Sequence, residues 1–356
     1  MIVGVLRESA PETRVSLVAE TVSAVVKKGW EVWVEPGAGQ AAFCPDDAYV
    51  AAGARLASAS EILQGADVIL SIHLPAGKPA NGRVLIGMYQ SAFNREKVEP
   101  LMQSGVTVFS MERLPRTTRA QSMDILSSQA NIAGYKAVLT AANAYGRYFP
   151  MFMTAAGSIP PAKVLILGAG VAGLQAIATS RRLGAVVEVF DTRPAVKEEV
   201  LSLGAKFVEV EGAADASTAG GYAVEQSEDY KRRQQQRIAE SVAKSDIVIT
   251  TAQIPGRKAP ILVTSEMLDS MRPGSVIVDL AASTGGNTPE TRDRETVVYK
   301  GVTIIGDSNL AATMPSDASK LYGKNILNFL QLMVDKEGRL QTEVDDDLVK
   351  GAMVSY

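Results

Sequence analysis

The sequence predicts an α/β fold with two doubly wound parallel sheets (Rossmann-like domains), the second inserted within the first. Three observations favour it. Short apolar runs alternate with stretches of helical periodicity, as in βαβ units. A glycine-rich motif directly follows one of these runs, and a long helical pattern separates two series of them. At 356 residues, the chain suits about two domains of ordinary size.

The first series of predicted strands consists of four apolar runs near the start of the chain. They are Ile2 to Leu6, Glu31 to Val34, Asp67 to Ile72 and Val106 to Phe109. Helical patterns such as Leu17 to Lys28 lie between them. The alternation predicts parallel strands joined by crossover helices.

The second series begins beyond the middle of the chain. Its predicted strands are Lys163 to Leu167, Val186 to Phe190, Lys206 to Val210, Asp246 to Thr250, Ser275 to Leu280 and Thr303 to Ile305. This series predicts a second sheet of the same type.

Two helical patterns predict how the domains connect. Ile125 to Tyr148 has apolar residues at helical spacing and is expected to link the domains. Pro315 opens another helix that runs to Leu332 and returns to the first domain. The expected division is 1–125 with 316–356 for the first domain, which lines the cleft, and 126–315 for the second.

Composition excludes several classes of partner. The net charge of −3, from 36 basic and 39 acidic residues, provides no basic field for nucleic acid. Cys44 is the only cysteine, so an internal disulfide cannot form, and no metal site is expected. The most apolar stretch, Val164 to Ala178, is too short to span a bilayer, so we expect no direct membrane insertion.

The glycine-rich motif predicts a dinucleotide site. Gly168, Gly170 and Gly173, with Val171 and Ala172 between them, follow an apolar strand and open a helix. The first glycine allows a tight turn, the second lets a pyrophosphate approach the backbone, and the third allows close packing of the helix. Free N–H groups at the helix N-terminus then face the anion.

An acidic residue follows the second strand of this unit. Asp191 lies about 20 residues beyond the glycines, where a carboxylate binds the adenosine ribose and disfavours a 2′-phosphate. Thr192 and Arg193 come next, and an arginine here can accommodate that phosphate. We expect NAD rather than NADP; the alternative is that Asp191 caps a helix beginning at Pro194.

A polar stretch lies where the chain should pass between the domains. It contains Arg116, Arg119, Gln121, Ser122, Asp124 and Ser127. From composition alone, caps and surface pairs for the helix at Ile125 are the favoured explanation, and a binding site is the alternative.

A long loop interrupts the second series. Residues 211–227 are rich in glycine, alanine, serine and threonine, and the loop exceeds the usual connection length. It is either a simple linker or a mobile lid, with Gly220 and Gly221 as a hinge that carries Tyr222.

Proton-transferring side chains are scarce. The only histidine, His73, follows a predicted strand, where a structural role is the more common one. Oxidation of an alcohol or amine moves a proton as well as a hydride and normally requires a positioned acid or base. Hydride transfer between two nicotinamides requires none at the reacting carbons.

Seven stretches together resemble one known family. They are Arg7-Glu8, Arg14-Val15, Arg119 to Ser128, Met153 to Gly157, Gly173 to Ala178, Thr218 to Tyr222 and Lys324-Asn325. Nearly end to end, the chain resembles the NAD(H)-binding component (alpha subunit, domain I) of proton-translocating NAD(P)+ transhydrogenase, with alanine dehydrogenase as a structural relative.

The resemblance implies roles for individual residues. The nicotinamide end of NAD(H) would be held by Arg116, Gln121, Asp124 and Ser127, the first three also being the expected catalytic residues. The glycine loop would hold the pyrophosphate, and Asp191 the adenosine ribose. Tyr222 would lie on the mobile loop, and Gly221, Gln234 and Gln253 near the nucleotide.

The resemblance also implies an assembly. Two copies would form a homodimer and meet a component that binds NADP(H), which is joined to membrane-spanning subunits that translocate protons. The chain would then lie at the cytoplasmic face of the inner membrane without entering it.

Two other functions agree less well with the sequence. His73 and Gln90 stand where the alanine dehydrogenase relative has its catalytic lysine and histidine, which argues against oxidation of L-alanine. A non-catalytic module that senses NAD could recognise adenine and pyrophosphate alone, so the polar stretch from Arg116 to Ser127 argues against it.

Overall fold

A computed structural model describes residues 1–210, 227–254 and 257–356 of the protein. They form two compact units, residues 1–129 with 311–356 and residues 130–310. The divisions lie a few residues from 125 and 315, and the predicted domains, 1–125 with 316–356 and 126–315, stay a prediction. Apart from Ser227, the predicted lid lies outside the described residues, and Gly221 and Tyr222 lie outside them too.

The first unit contains a six-stranded parallel sheet. Its strands are β1 (Ile2–Val5), β2 (Glu31–Val34), β3 (Arg55–Leu56), β4 (Val68–Leu70), β5 (Val84–Gly87) and β6 (Thr107–Ser110). The strand order in space is β3-β2-β1-β4-β5-β6. The chain begins at the central strand β1, proceeds to the edge at β3, and then continues on the other side of β1 with β4, as in a doubly wound sheet. The predicted fold class is confirmed for this unit.

Two strands of this sheet were absent from the sequence prediction. All four residues of β5 are buried, because the strand lies between β4 and β6 and apolar side chains cover both faces of the sheet there. A short continuous apolar run of this kind has no periodicity to identify it. The edge strand β3 has only two residues, both exposed.

Helices cover the sheet of the first unit. They are α1 (Ala19–Val26), α2 (Asp46–Ala51), α3 (Ala59–Gly65), α4 (Arg95–Gln103), α10 (Pro315–Leu332) and α11 (Asp347–Ala352). α10 has the predicted bounds, and its Tyr322, Ile326 and Phe329 are fully buried. The Phe329 ring meets Phe109 of β6 edge to face, with 5.6 Å between centroids.

A long helix and a hairpin precede the second sheet. α5 (Ile125–Ala144) is shorter than predicted, since Gly146 follows closely where the sequence predicts helix up to Tyr148. The chain then forms an antiparallel hairpin of β7 (Phe152–Thr154) and β8 (Gly157–Ile159), which pairs with neither large sheet.

The second unit contains a seven-stranded sheet. Its strands are β9 (Lys163–Leu167), β10 (Val186–Phe190), β11 (Lys206–Phe207), β12 (Ile247–Thr250), β13 (Val276–Asp279), β14 (Glu295–Tyr299) and β15 (Val302–Gly306). The order is β11-β10-β9-β12-β13-β15-β14. The sheet is doubly wound as predicted, but its edge strand β14, which was not predicted, pairs antiparallel with β15.

Helices α6 (Val171–Arg182), α7 (Lys197–Ser202), α8 (Glu228–Val242) and α9 (Ser265–Ser270) complete the second unit. Apolar side chains fill both faces of its sheet, which explains the continuous apolar runs of the central strands. Within the described ranges, no helix combines the length and apolar character needed to cross a bilayer.

Candidate functional site

The glycine loop joins β9 to α6 at the carboxyl edge of the second sheet. Gly168 has a φ of +107°, a conformation that side-chain-bearing residues rarely adopt. A Cβ atom on Gly173 would lie 1.9 Å from the carbonyl oxygen of Gly168, so only glycine fits there. A Cβ on Gly170 would meet none of the described residues within 4 Å, so they leave this part of the loop open. The geometry is that of a backbone surface for a pyrophosphate.

The helix that follows this loop is held close to α5. No side chain of the described residues caps the N-terminus of α6, where Gly170 is the N-cap residue. A Cβ on Gly134 of α5 would lie 2.1 Å from the carbonyl oxygen of Ala172. Gly134 therefore permits α5 to pack directly against the first turn of α6 and fix its position.

A second loop, which follows β12, lies beside the glycine loop. Between β9 and β12 the winding of the sheet reverses. The hydroxyl of Thr251 donates to the carbonyls of Leu167 and Gly168, at 3.3 and 3.2 Å. Asn287 accepts the Ala252 N–H at 3.1 Å and donates to the Ala252 carbonyl at 2.9 Å. Ligands of doubly wound sheets bind at this reversal. The sequence prediction missed Thr251 and Asn287, whose partners are distant in the chain.

Asp191 follows β10 and is almost fully buried beside the glycine loop. Its Oδ2 accepts the Ala169 N–H at 2.7 Å and Nη2 of Arg193 at 2.8 Å. Its Oδ1 accepts the backbone N–H and Nε of Arg193, at 2.8 and 2.9 Å. Hydrogen bonding to the Asp191 carboxylate raises the pKa of Arg193 despite its partial burial. The guanidinium therefore stays charged and engaged with Asp191.

The alternative role of Asp191 as a helix cap is wrong. The short 3₁₀ helix Pro194–Val196 has Arg193 as its N-cap residue, and no side chain in the described part of the chain caps it. Asp191 instead ties its own loop to Ala169 and to Arg193. Its carboxylate thus lies where a ribose-binding acid is expected.

The predicted polar stretch lines a cavity in the first unit. The cavity has a volume of about 290 Å³, and its lining includes Arg116, Gln121, Asp124 and Ser127. Gln121 lies on the 3₁₀ helix Thr118–Met123, whose Ala120 and Met123 are buried in the core. The buried residues of this turn direct Gln121 outward, where it is exposed.

Asp124 and Ser127 cap a helix and also line this cavity, and a binding role for them stays a prediction. The Asp124 carboxylate accepts the Ser127 N–H at 2.9 Å and the Ser127 hydroxyl at 2.6 Å, at the start of α5. These contacts cap the helix. Both residues also line the cavity. Capping therefore fixes the carboxylate and hydroxyl that a ligand in the cavity would meet.

Five further predicted site residues are not among those that line the cavity. Arg119 donates to Asp346 at 2.6 Å, and Ser122 accepts two amide N–H groups through its carbonyl. Gln253 donates to the Leu280 carbonyl at 2.8 Å. Gln234 lies half-buried on α8, and Thr192 is half-buried beside Asp191. These contacts give Arg119 and Gln253 structural partners within their own units.

His73 belongs to a different cluster in the first unit. Its Nε2 lies 3.0 Å from Oε2 of Glu12, which also forms a bidentate pair with Arg14. Burial of Glu12 acts to raise the pKa of its carboxyl, but the hydrogen bonds from Arg14 and His73 outweigh it and hold that pKa well below its ordinary value. His73 therefore has a carboxylate partner, in agreement with a structural role.

Two family models match almost the whole chain. The N-terminal domain of the alanine dehydrogenase/PNT family matches residues 4–133, and its C-terminal domain matches residues 137–356. The chain is 47% identical to the first part of the NAD(P) transhydrogenase subunit alpha of Rhodospirillum rubrum, over 100% of this chain and 96% of the relative.

Solved structures give the same result. The structure of a transhydrogenase from Sinorhizobium meliloti matches with a TM-score of 0.91 and 47% identity, covering 100% of this chain and 99% of the other. An L-alanine dehydrogenase matches with a TM-score of 0.81 and 26% identity, covering 99% and 94%. The resemblance that the sequence indicates is confirmed.

The contact between α5 and α6 makes a prediction for Gly134. In a helix interior, Gly→Ala usually stabilises a protein by about 0.5–1 kcal/mol. At Gly134 the new methyl group would collide with the Ala172 carbonyl, and overpacking of this kind costs about 1–3 kcal/mol. We therefore expect Gly134→Ala to lower the free energy of unfolding in urea denaturation.

Gly146, which is exposed just beyond the end of α5, is the control, because a Cβ there would meet none of the described residues within 4 Å. Gly146→Ala should leave the free energy of unfolding within about 0.5 kcal/mol of the parent. If Gly134→Ala were as stable as Gly146→Ala, the close contact of α5 with α6 would be disproved.

Proposed function

The chain belongs to the alanine dehydrogenase/PNT family, and we propose that it is the NAD(H)-binding component of a Re/Si-specific, proton-translocating NAD(P)+ transhydrogenase. The observation that carries this proposal is the cavity lined by Arg116, Gln121, Asp124 and Ser127, in a chain similar over its whole length to a transhydrogenase subunit. These groups can orient a polar ring and its ribose.

Each part of the nucleotide has its own set of side chains in this proposal. The backbone from Gly168 to Gly173, including Gly170, Val171 and Ala172, binds the pyrophosphate. Asp191, with Thr192 and Arg193 beside it, binds the adenosine ribose. The residues proposed for the nicotinamide end are Arg116, Arg119, Gln121, Ser122, Asp124 and Ser127, and those for the nucleotide's surroundings are Gly221, Tyr222, Gln234 and Gln253.

The reaction requires alignment more than acid–base chemistry. NADH supplies a hydride from C4 of its nicotinamide, and NADP+ on the partner component accepts it at the same position of its own ring. One C–H bond breaks and one forms, and no proton moves at either carbon. Gln121, Arg116 and Asp124 are the catalytic residues in this scheme because they contact the reacting end of NADH and orient its ring.

The chain works only with partners in this proposal. A component that binds NADP(H) meets the nicotinamide end, and membrane-spanning subunits couple the transfer to proton translocation. The chain is then held at the cytoplasmic face of the inner membrane by these subunits. The Rhodospirillum rubrum relative is named as a portion of an alpha subunit, which supports the existence of further subunits.

We also propose a homodimer formed through the hairpin of β7 and β8. Met151 and Met153 are 62% and 73% exposed there, and the rings of Tyr148 and Phe152 stack 4.9 Å apart. An isolated two-stranded hairpin is marginally stable in water. A recess adjoins it whose lining combines apolar residues such as Phe149 and Leu183 with Arg147 and Arg182. An exposed apolar hairpin beside a recess favours pairing of two copies about a two-fold axis.

The Asp191–Arg193 pair predicts the nucleotide preference. The parent should bind NADH well and NADPH poorly in calorimetric titration. Asp191→Ala should weaken NADH binding by about 1–3 kcal/mol, because it removes a buried acceptor. It also releases Arg193, which can then approach a 2′-phosphate. The difference between the affinities for NADH and NADPH should therefore decrease.

The double variant Asp191→Ala with Arg193→Ala is the control for the released arginine. It should lose the NADPH binding that the single variant gains. Equal affinity of the parent for the two nucleotides would remove the basis for assigning Asp191 to the ribose.

Gln121→Asn separates binding from hydride transfer. The shortened amide keeps its chemistry but withdraws by one methylene from the nicotinamide end. We expect NADH affinity close to that of the parent, and a loss of about 10²-fold or more in hydride transfer to an NADP(H)-loaded partner component. Stopped-flow absorbance under single-turnover conditions with saturating nucleotide measures that step.

Asp124 and Ser127 cap α5, which already gives both residues a structural role. The Gln121→Asn experiment therefore tests whether Gln121 has a role in hydride transfer. A variant that transfers hydride at the parental rate would show that Gln121 is only a surface residue of its turn.

The hairpin prediction concerns oligomeric state. Met153→Asp places a charge on the proposed dimer surface and should convert the protein to a monomer, measured by light scattering after size-exclusion chromatography. Val298→Asp, on the edge strand β14 and 68% exposed, is the matched control and should remain dimeric. A dimer that survives Met153→Asp would place the interface elsewhere.

A further inference from the structure

The turn that carries Gln121 is attached to α10 by two asparagines. The carbonyl oxygen of Ser122, the residue after Gln121, accepts Nδ2 of Asn325 at 2.8 Å and Nδ2 of Asn328 at 3.0 Å. This carbonyl lies near the end of the 3₁₀ helix Thr118–Met123, where backbone acceptors have few partners within the helix. The side chains of α10 therefore replace the missing backbone donors.

α10 is a rigid support for these amides. The Tyr322 hydroxyl donates to the carbonyl of Ser71 at 3.0 Å, at the end of the central strand β4. A Cβ on Gly323 would lie 3.0 Å from the carbonyl oxygen of Ser16, so the helix is in close contact with that segment. Asn325 follows Tyr322 and Gly323 within the same turn of this helix.

α10 also holds the other end of the segment that contains Asp124 and Ser127. The amide of Gln129 donates to the Ala318 carbonyl at 3.1 Å and accepts from Arg14 at 2.8 Å. The segment from Ser122 to Gln129 is thus attached to one helix at both ends. A group held at two points keeps its side chains within the narrow range that positioning requires.

Asn325 has an unusual environment for an amide. The residue is 8% exposed, and its Oδ1 is buried without a hydrogen-bond partner among the described residues. Burial of an unpaired oxygen is unfavourable, and its neighbours on α10, Ile326 and Phe329, are apolar. An apolar residue would suit this position for packing alone, so the amide contributes through the N–H that it donates to Ser122.

We propose that Asn325 is a positioning residue for hydride transfer, which orients the Gln121 turn through the carbonyl of Ser122. Because the proposed function assigns the alignment of the nicotinamide to Gln121, the role of Asn325 rests on that function. Asn328 donates to the same carbonyl from a half-exposed position, where water can replace its amide. Asn325 is therefore the more important of the two.

Asn325→Leu tests this role, because leucine has the same branched side chain of four heavy atoms but lacks the donor. Removal of the unpaired oxygen should leave the thermal midpoint unchanged or raise it. NADH affinity should stay within about threefold of the parent, while the single-turnover rate of hydride transfer to an NADP(H)-loaded partner component falls about tenfold or more. The variant should thus keep its thermal stability while its rate of hydride transfer falls. If Asn325 had a purely structural role, the rate would fall only together with the stability.

Two variants serve as controls. Asn325→Asp keeps the shape but places an acceptor opposite the Ser122 carbonyl, and it should lower the rate at least as much as Asn325→Leu. Asn328→Ala should change the rate less than about threefold, since water can donate in its place. If both Asn325 variants transferred hydride at the parental rate, the proposal would be overturned.

Hydrogen exchange separates failure of this proposal from failure of the function. In both Asn325 variants, backbone amides between Gln121 and Ser127 should exchange faster than in the parent, while those of β1 stay unchanged. A parent that transfers no hydride would refute the proposed function, and the exchange measurement would still show whether Asn325 holds the turn. Unchanged exchange in both variants would refute the positioning role.

Discussion

The packing of α10 on the first sheet is the interaction on which the rest of the first unit depends. Tyr322, Ile326 and Phe329 are each fully buried there, and burial of such a side chain contributes roughly 1.5–3 kcal/mol. Their sum is comparable with the whole stability of an ordinary domain, about 5–15 kcal/mol. The same helix holds the carbonyl of Ser122 and the amide of Gln129. Stability of the fold and position of the site therefore arise from one contact.

In the proposed function, the second unit has a different role, which is to bring backbone N–H groups close to the pyrophosphate. Gly173 and Gly134 remove side chains where α6 must approach its own loop and α5. These contacts fix the direction of α6 before any ligand binds. A preorganised donor surface costs little reorganisation when the charge arrives. The first unit orders polar side chains, and the second orders the backbone N–H groups.

The sequence predicts features that depend on local pattern and misses those that depend on distant partners. Spacing alone identified the glycine loop and Asp191, because both are fixed by their place in one βαβ unit. The strand Val84–Gly87 was missed, since a buried central strand lacks alternation. The contact of Gly134 with Ala172 and the bond from Asn325 to Ser122 join residues far apart in the chain. The sequence nevertheless contains one signal for Asn325, which is a polar residue on the apolar face of a predicted helix.

Arg193 shows why the type of residue alone does not decide which nucleotide binds. An arginine near the ribose site can recognise a 2′-phosphate, yet here the Nε/Nη2 edge of its guanidinium is paired with the Asp191 carboxylate. A phosphate at this position would also approach a buried carboxylate of the same sign, which repels it. Ribose hydroxyls can replace the arginine contacts without adding a charge. In the proposed function, the pair therefore makes an arginine that could favour NADP into a residue that supports selection of NAD.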